Sequence, residues 1–95
     1  MKLLTKSLEN KLLKNATKKD GKAYVKWFNP TGVGTWYVSE MDENGICYGL
    51  SCVHEKEFGY FDKKELEELK LPFGLGIERD LWFDPTPLED CKNLA

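Results

Sequence analysis

The chain is poor in the residues that catalytic and redox chemistry most often uses: one histidine, one arginine and three cysteines among 95 residues. No Cys-x-x-Cys pair occurs, so the tight cysteine spacing of common zinc modules is missing. The glycine pairs Gly32-Val-Gly34 and Gly74-Leu-Gly76 lack the third glycine or the lysine of a phosphate loop and read as turns. No strained elbow surrounds a cysteine, and no third orienting residue is evident behind Cys52 and His54, which disfavours a cysteine nucleophile. No apolar run approaches the length of a membrane span. The first residues carry a lysine or an acid every few positions, unlike the uninterrupted core of a signal peptide. An odd cysteine count speaks against a disulfide framework and for a reducing compartment, so a cytoplasmic, non-enzymatic protein is expected.

The composition is that of a folded globule, 41% apolar and 13% aromatic. Its length suits one domain, residues 1–95, with a modest core that a metal staple would help. The net charge of −2 hides a split: eight lysines face two acids up to Trp27, whereas from Phe28 onward five lysines and one arginine face fourteen acids. An acidic body of this kind suits a basic partner, such as the nucleic-acid channel of another protein. Direct DNA binding is disfavoured, because only the N-terminal lysines can supply phosphate contacts.

Apolar spacing sets the expected elements. Thr5 caps a first helix whose stripe is Leu4, Leu8, Leu12 and Ala16, with Leu13 alongside, and which ends before Lys18. Strands follow at Ala23–Phe28, Gly34–Met41 and Ile46–Val53, the last two joined by the hairpin turn Asp42-Glu-Asn-Gly45. Asp62 caps a second helix with Glu65 as its capping-box partner, Leu66 and Leu69 facing inward and Pro72 stopping it. Leu81–Phe83 reads as a short edge strand, and Thr86-Pro87 as the start of a last helical turn carrying Cys91. The fold class is therefore α+β: a three-stranded antiparallel meander with helices closing one face.

The cysteines and the histidine form one candidate set, Cys47, Cys52, His54 and Cys91, which would complete a tetrahedral zinc shell. Side-chain alternation opposes this, since Cys52 and His54 share a face of an ideal strand while Cys47 points away. A bulge at Gly49 would restore the parity. Without one, Cys52 and His54 need Cys91 and an acid such as Glu55, Glu57 or Asp90. The structural alternative makes the cysteines small buried hydrophobes. Trp27, Phe28, Trp36 and Tyr37 are expected to contribute one core and one exposed ring per pair. Arg79, between Glu78 and Asp80, is expected to brace its loop through a salt bridge.

Phe58-Gly-Tyr-Phe-Asp, the helix around Glu65-Leu66 and the run from Leu71 to Leu88, with its string Pro-x-Gly-Leu-x-Ile-Glu-Arg-Asp-Leu, together resemble a small uncharacterised domain family carried by phages and plasmids. The opening Lys-Leu-Leu-Thr-Lys-Ser-Leu and the strand Ala23-Tyr-Val-Lys-Trp-Phe share the likeness. In size and acidity the chain is also similar to anti-CRISPR proteins that block the type II effector nuclease, one of which carries zinc. The resemblance implies an interaction protein of a mobile element, an inhibitor of that nuclease with a structural zinc. Acidic residues at Asp62–Glu68 and Glu78–Asp84 would make the contact. A zinc-dependent hydrolase and an accessory nucleic-acid binder using the first helix are the alternatives.

Overall fold

A computed structural model describes residues 2–94; Met1 and Ala95, the ends of the expected 1–95 domain, lie outside the described residues. Helix α1 spans Lys6–Lys18, with the Thr5 hydroxyl accepting from Leu8 N at 3.2 Å and Lys19 closing the C-terminus in a left-handed conformation. Seven strands follow: β1 Lys22–Ala23, β2 Val25–Phe28, β3 Thr35–Met41, β4 Ile46–Cys52, β5 Lys56–Asp62, β6 Glu78–Arg79 and β7 Thr86–Pro87. Helix α2 occupies Lys63–Glu68, a 3-10 turn Pro72–Gly74, and helix α3 Leu88–Cys91. Among the described residues no helix is long and apolar enough to cross a membrane.

The fold is α+β, but its sheet exceeds the expected three-stranded meander. Five strands pair antiparallel in the order β5-β4-β3-β2-β6, and β1 with β7 forms a separate two-stranded ribbon. The expected first strand is split between the two sheets. The edge strand falls at Glu78–Arg79, three residues before Leu81, and Thr86-Pro87 pairs with β1 instead of starting a helix. Asp62 does cap α2, accepting from Lys64 N at 2.9 Å, yet the helix ends at Glu68 and Leu69 is 44% exposed.

Both faces of the sheet are covered. On one side Leu12 of α1 and Leu66 of α2 pack on Val25, Trp27, Trp36, Val38, Met41 and Cys47. On the other, Leu88 and Cys91 of α3 pack on Ala23, Tyr37 and Leu50, with Phe83 alongside. The helices thus do not close a single face. Trp36 and Tyr37 are both buried for that reason, each under a different layer, and only Phe28 among the four strand aromatics remains half-exposed.

A bulge organises this arrangement, and it lies on β3 instead of β4. Val38 pairs with Gly49 and Glu40 with Tyr48, so Ser39 is the extra residue. Asn15 of α1 donates to the Ser39 carbonyl at 2.9 Å and to its hydroxyl at 3.1 Å, and accepts from Asp20 N at 3.0 Å. Gly49, opposite the bulge, has no room for a side chain: an added Cβ would lie 1.9 Å from the Tyr37 carbonyl oxygen.

Asn15→Ala should cost about 2–3 kcal/mol in urea unfolding, because it strands buried polar groups of Ser39. Ser39→Ala should cost less than about 1 kcal/mol, since Asn15 keeps its bond to the residue 39 carbonyl. Equal losses for the two variants would refute this assignment of the clasp.

Candidate functional site

The four expected zinc ligands do not converge. β4 is regular, so residues five apart point to opposite faces. Cys47 is fully buried on the α1 side, where its thiol lies 3.7 Å from the Gly45 carbonyl oxygen. Cys52 packs on the other side in the cluster that includes Cys91, whose sulfur is 3.9 Å from the Thr86 carbonyl oxygen. His54 is exposed in the turn between β4 and β5. The structure brings Cys52 and Cys91 into one cluster and leaves Cys47 across the sheet. Among the described residues no group of three or more His, Cys, Asp or Glu side chains is placed to hold a metal. The donor set therefore does not fit the closed four-ligand shell.

Burial governs the thiols. It pushes Cys47 up to about 12 and Cys91 up to about 11, with Asp90 and Cys52 adding to the latter, and it raises Cys52 as well. Burial thus disfavours the thiolate, the form that acts as nucleophile and metal ligand, at all three cysteines. The Tyr37 hydroxyl is buried beside them without a hydrogen-bond partner among the described residues. Burial, then Cys52, Cys91 and Asp80, push it up to about 12.

The surface that stands out lies at the β6 end of the sheet. Glu78 and Arg79 pair with Phe28 and Trp27. The ladder continues as Asp80 N donates to the Lys26 carbonyl at 2.9 Å, and the Asp80 carboxylate accepts from Trp82 N at 2.9 Å to form a tight turn. Lys26 Nζ sits 3.7 Å from Asp80 Oδ2 and 5.8 Å from the Tyr37 ring centroid, joining strand, turn and core. Arg79 Nη1 donates to the Lys2 carbonyl at 2.9 Å, so the arginine braces its loop against the N-terminal segment.

This turn builds a cleft of about 400 Å³ lined by residues Glu78 to Trp82 with Lys26 and Phe28. Phe83 turns inward onto Tyr37, with ring centroids 5.8 Å apart. Its neighbours turn outward, and Leu81 is 62% and Trp82 90% exposed. A second cleft of about 410 Å³ shares Glu78 and reaches Gly74–Ile77, Lys2 and Glu67. Just before it, Phe73 is 93% exposed and held at φ 63, a region that costs a bulky residue about 1–3 kcal/mol. Two aromatic rings are thus presented to solvent on one segment. The acid-flanked apolar run Leu81-Trp82-Phe83 was the available sequence signal, but read as an edge strand it concealed the cleft.

The chain belongs to a family described as a protein of unknown function (DUF2958), whose model matches residues 3–90 and so takes in the cleft and all but the last of the candidate metal ligands. No curated protein and no solved structure matches the chain.

At pH 8 a small alkylating reagent should label Cys52 first, and Cys47 and Cys91 only on unfolding. A folded pKa above the usual 9.0 gives stability that is complete below pH 9 and lost as pH rises toward 11–12. Urea midpoints should therefore fall across that interval, and Cys47→Ala should leave any zinc uptake unchanged. Equal labelling of all three native thiols would contradict this picture.

Proposed function

We propose that this chain is a non-enzymatic protein-interaction module that docks a basic, nucleic-acid-handling protein through the segment from Pro72 to Asp84. The observation that carries this reading is Trp82: a tryptophan 90% exposed beside Leu81, on a turn braced by Asp80 and Lys26. Solvated apolar side chains on a fixed turn cost little further entropy on docking, and tryptophan is the residue most enriched among binding anchors. Glu78 and Asp80 line the cleft beside Lys26 and Arg79, and Asp84 follows Trp82 by two residues, so these three acids are the ones that would meet a positively charged surface.

The class of partner rests on this surface. The type II CRISPR effector nuclease, with the chain acting as its inhibitor, rests on the resemblance alone and is the partner to test first. The raised thiol pKa values and the exposed position of His54 support binding over cysteine chemistry. Zinc forms no part of the docking proposal.

Trp82→Ala should weaken binding to the nuclease by about 30-fold or more in calorimetry, while the melting temperature moves by no more than about 2 °C. Affinity should also fall with rising salt, because rim charges are screened over about 8 Å at physiological ionic strength. No binding to the nuclease would remove that partner. Binding that survives Trp82→Ala unchanged would overturn the docking surface.

A further inference from the structure

β5 is the outer strand at the opposite end of the sheet from the Trp82 cleft. It pairs with β4 along all seven of its residues and, among the described residues, with no strand on its other side. Lys63 N donates to the Gly45 carbonyl at 3.0 Å, which sets the phase of the ladder. Because bonding residues alternate, Glu57, Gly59 and Phe61 turn their backbone groups toward β4, while Lys56, Phe58, Tyr60 and Asp62 turn theirs outward. Such an edge is a template for another strand.

We propose that a second copy of this chain docks on β5, antiparallel, about a two-fold axis at Gly59, joining two five-stranded sheets into one of ten strands. In this register Lys56 stands opposite Asp62 of the second copy, and Phe58 opposite its Tyr60, each pair occurring twice. All four residues carry outward backbone groups, so every such pair exchanges both hydrogen bonds. A slip of one residue sets an outward-bonding residue against one already bonded to β4. A slip of two puts Phe58 against Asp62, or Lys56 against Tyr60, and loses both charge pairs.

The side chains fit the same register. Tyr60 is 75% exposed, and its ring rests on Tyr48 with centroids 5.1 Å apart, leaving its outer side for Phe58 of the second copy. Lys56 donates to the Lys92 carbonyl and Asp62 caps α2, but neither makes an ion pair among the described residues. A Cβ added at Gly59 would meet nothing within 4 Å, so the axis is open to the approach of a second backbone. A single short edge buries less than a standard interface, so the dimer dissociates on dilution.

Sedimentation equilibrium over about 10–500 μM should show a reversible monomer–dimer equilibrium. Lys56→Glu, which sets like charges opposite each other twice, should weaken the dimer about tenfold. Adding Asp62→Asn, which still caps α2, should recover most of that loss. In a Cys52→Ser background, Gly59→Cys should cross-link to itself under diamide, because facing residues of a non-bonded pair lie about 4.5 Å apart. Glu57→Cys in the same background should not, since its two copies stand about 14 Å apart along the strand. Circular dichroism should show each variant folded, and Trp82→Ala should leave the dimer intact. A monomer throughout the range would overturn the proposal. So would a dimer that cross-links at Glu57→Cys but not at Gly59→Cys, or one abolished by Trp82→Ala.

Discussion

The buried clasp between Asn15 and Ser39 decides which way the centre of the sheet faces. Trp36 and Val38 point toward α1, and strict alternation would send Glu40 after them into the apolar layer. Burying an unpaired carboxylate there would be prohibitive. The extra residue at Ser39 takes that place, satisfied by Asn15, and turns Glu40 to the other side, where Lys19 meets it at 2.9 Å. Met41 then returns to the α1 layer, and Gly49 leaves room for the displaced backbone. The bulge therefore lets β3 be covered on both faces without trapping a charge.

The fate of the cysteines follows from the same device. A bulge on β4 would have gathered Cys47 with Cys52; a bulge on β3 leaves β4 regular and sends them apart. The neighbours of each thiol become apolar side chains and carbonyl oxygens, and desolvation holds the protons in place. Alternation along β4 was legible from the residue numbers alone, and so was the special character of Gly49. What could not be read was which of two paired strands held the extra residue, because that depends on Asn15, 24 residues away in the chain.

Features written in local chemistry were legible: the Thr5 and Asp62 caps, the Asp42–Gly45 hairpin and the three central strands. Features created by pairing were not. Lys56–Asp62 carries charges at both ends and a glycine in the middle, a weak strand sequence that β4 holds extended. Glu78-Arg79 is a strand only because Phe28 and Trp27 lie beside it. Thr86-Pro87 has good helix-start chemistry, but pairing with β1 prevails and the helix begins at Leu88. The cleft went unseen for the same reason, since it is formed where β6 meets the turn that follows it.

The two ends of the sheet carry different surfaces: a turn with exposed Leu81 and Trp82 after β6 and an outer backbone edge at β5. The central claim is that docking uses the first, and the three tryptophans report on it directly, because Trp27 and Trp36 are buried while Trp82 is 90% exposed. Fluorotryptophan-labelled protein, titrated with the nuclease and followed by fluorine NMR, separates them. The expected result is a shifted or broadened Trp82 resonance with Trp27 and Trp36 almost unchanged. Saturable binding that leaves the Trp82 resonance where it stands in the free protein would contradict the claim.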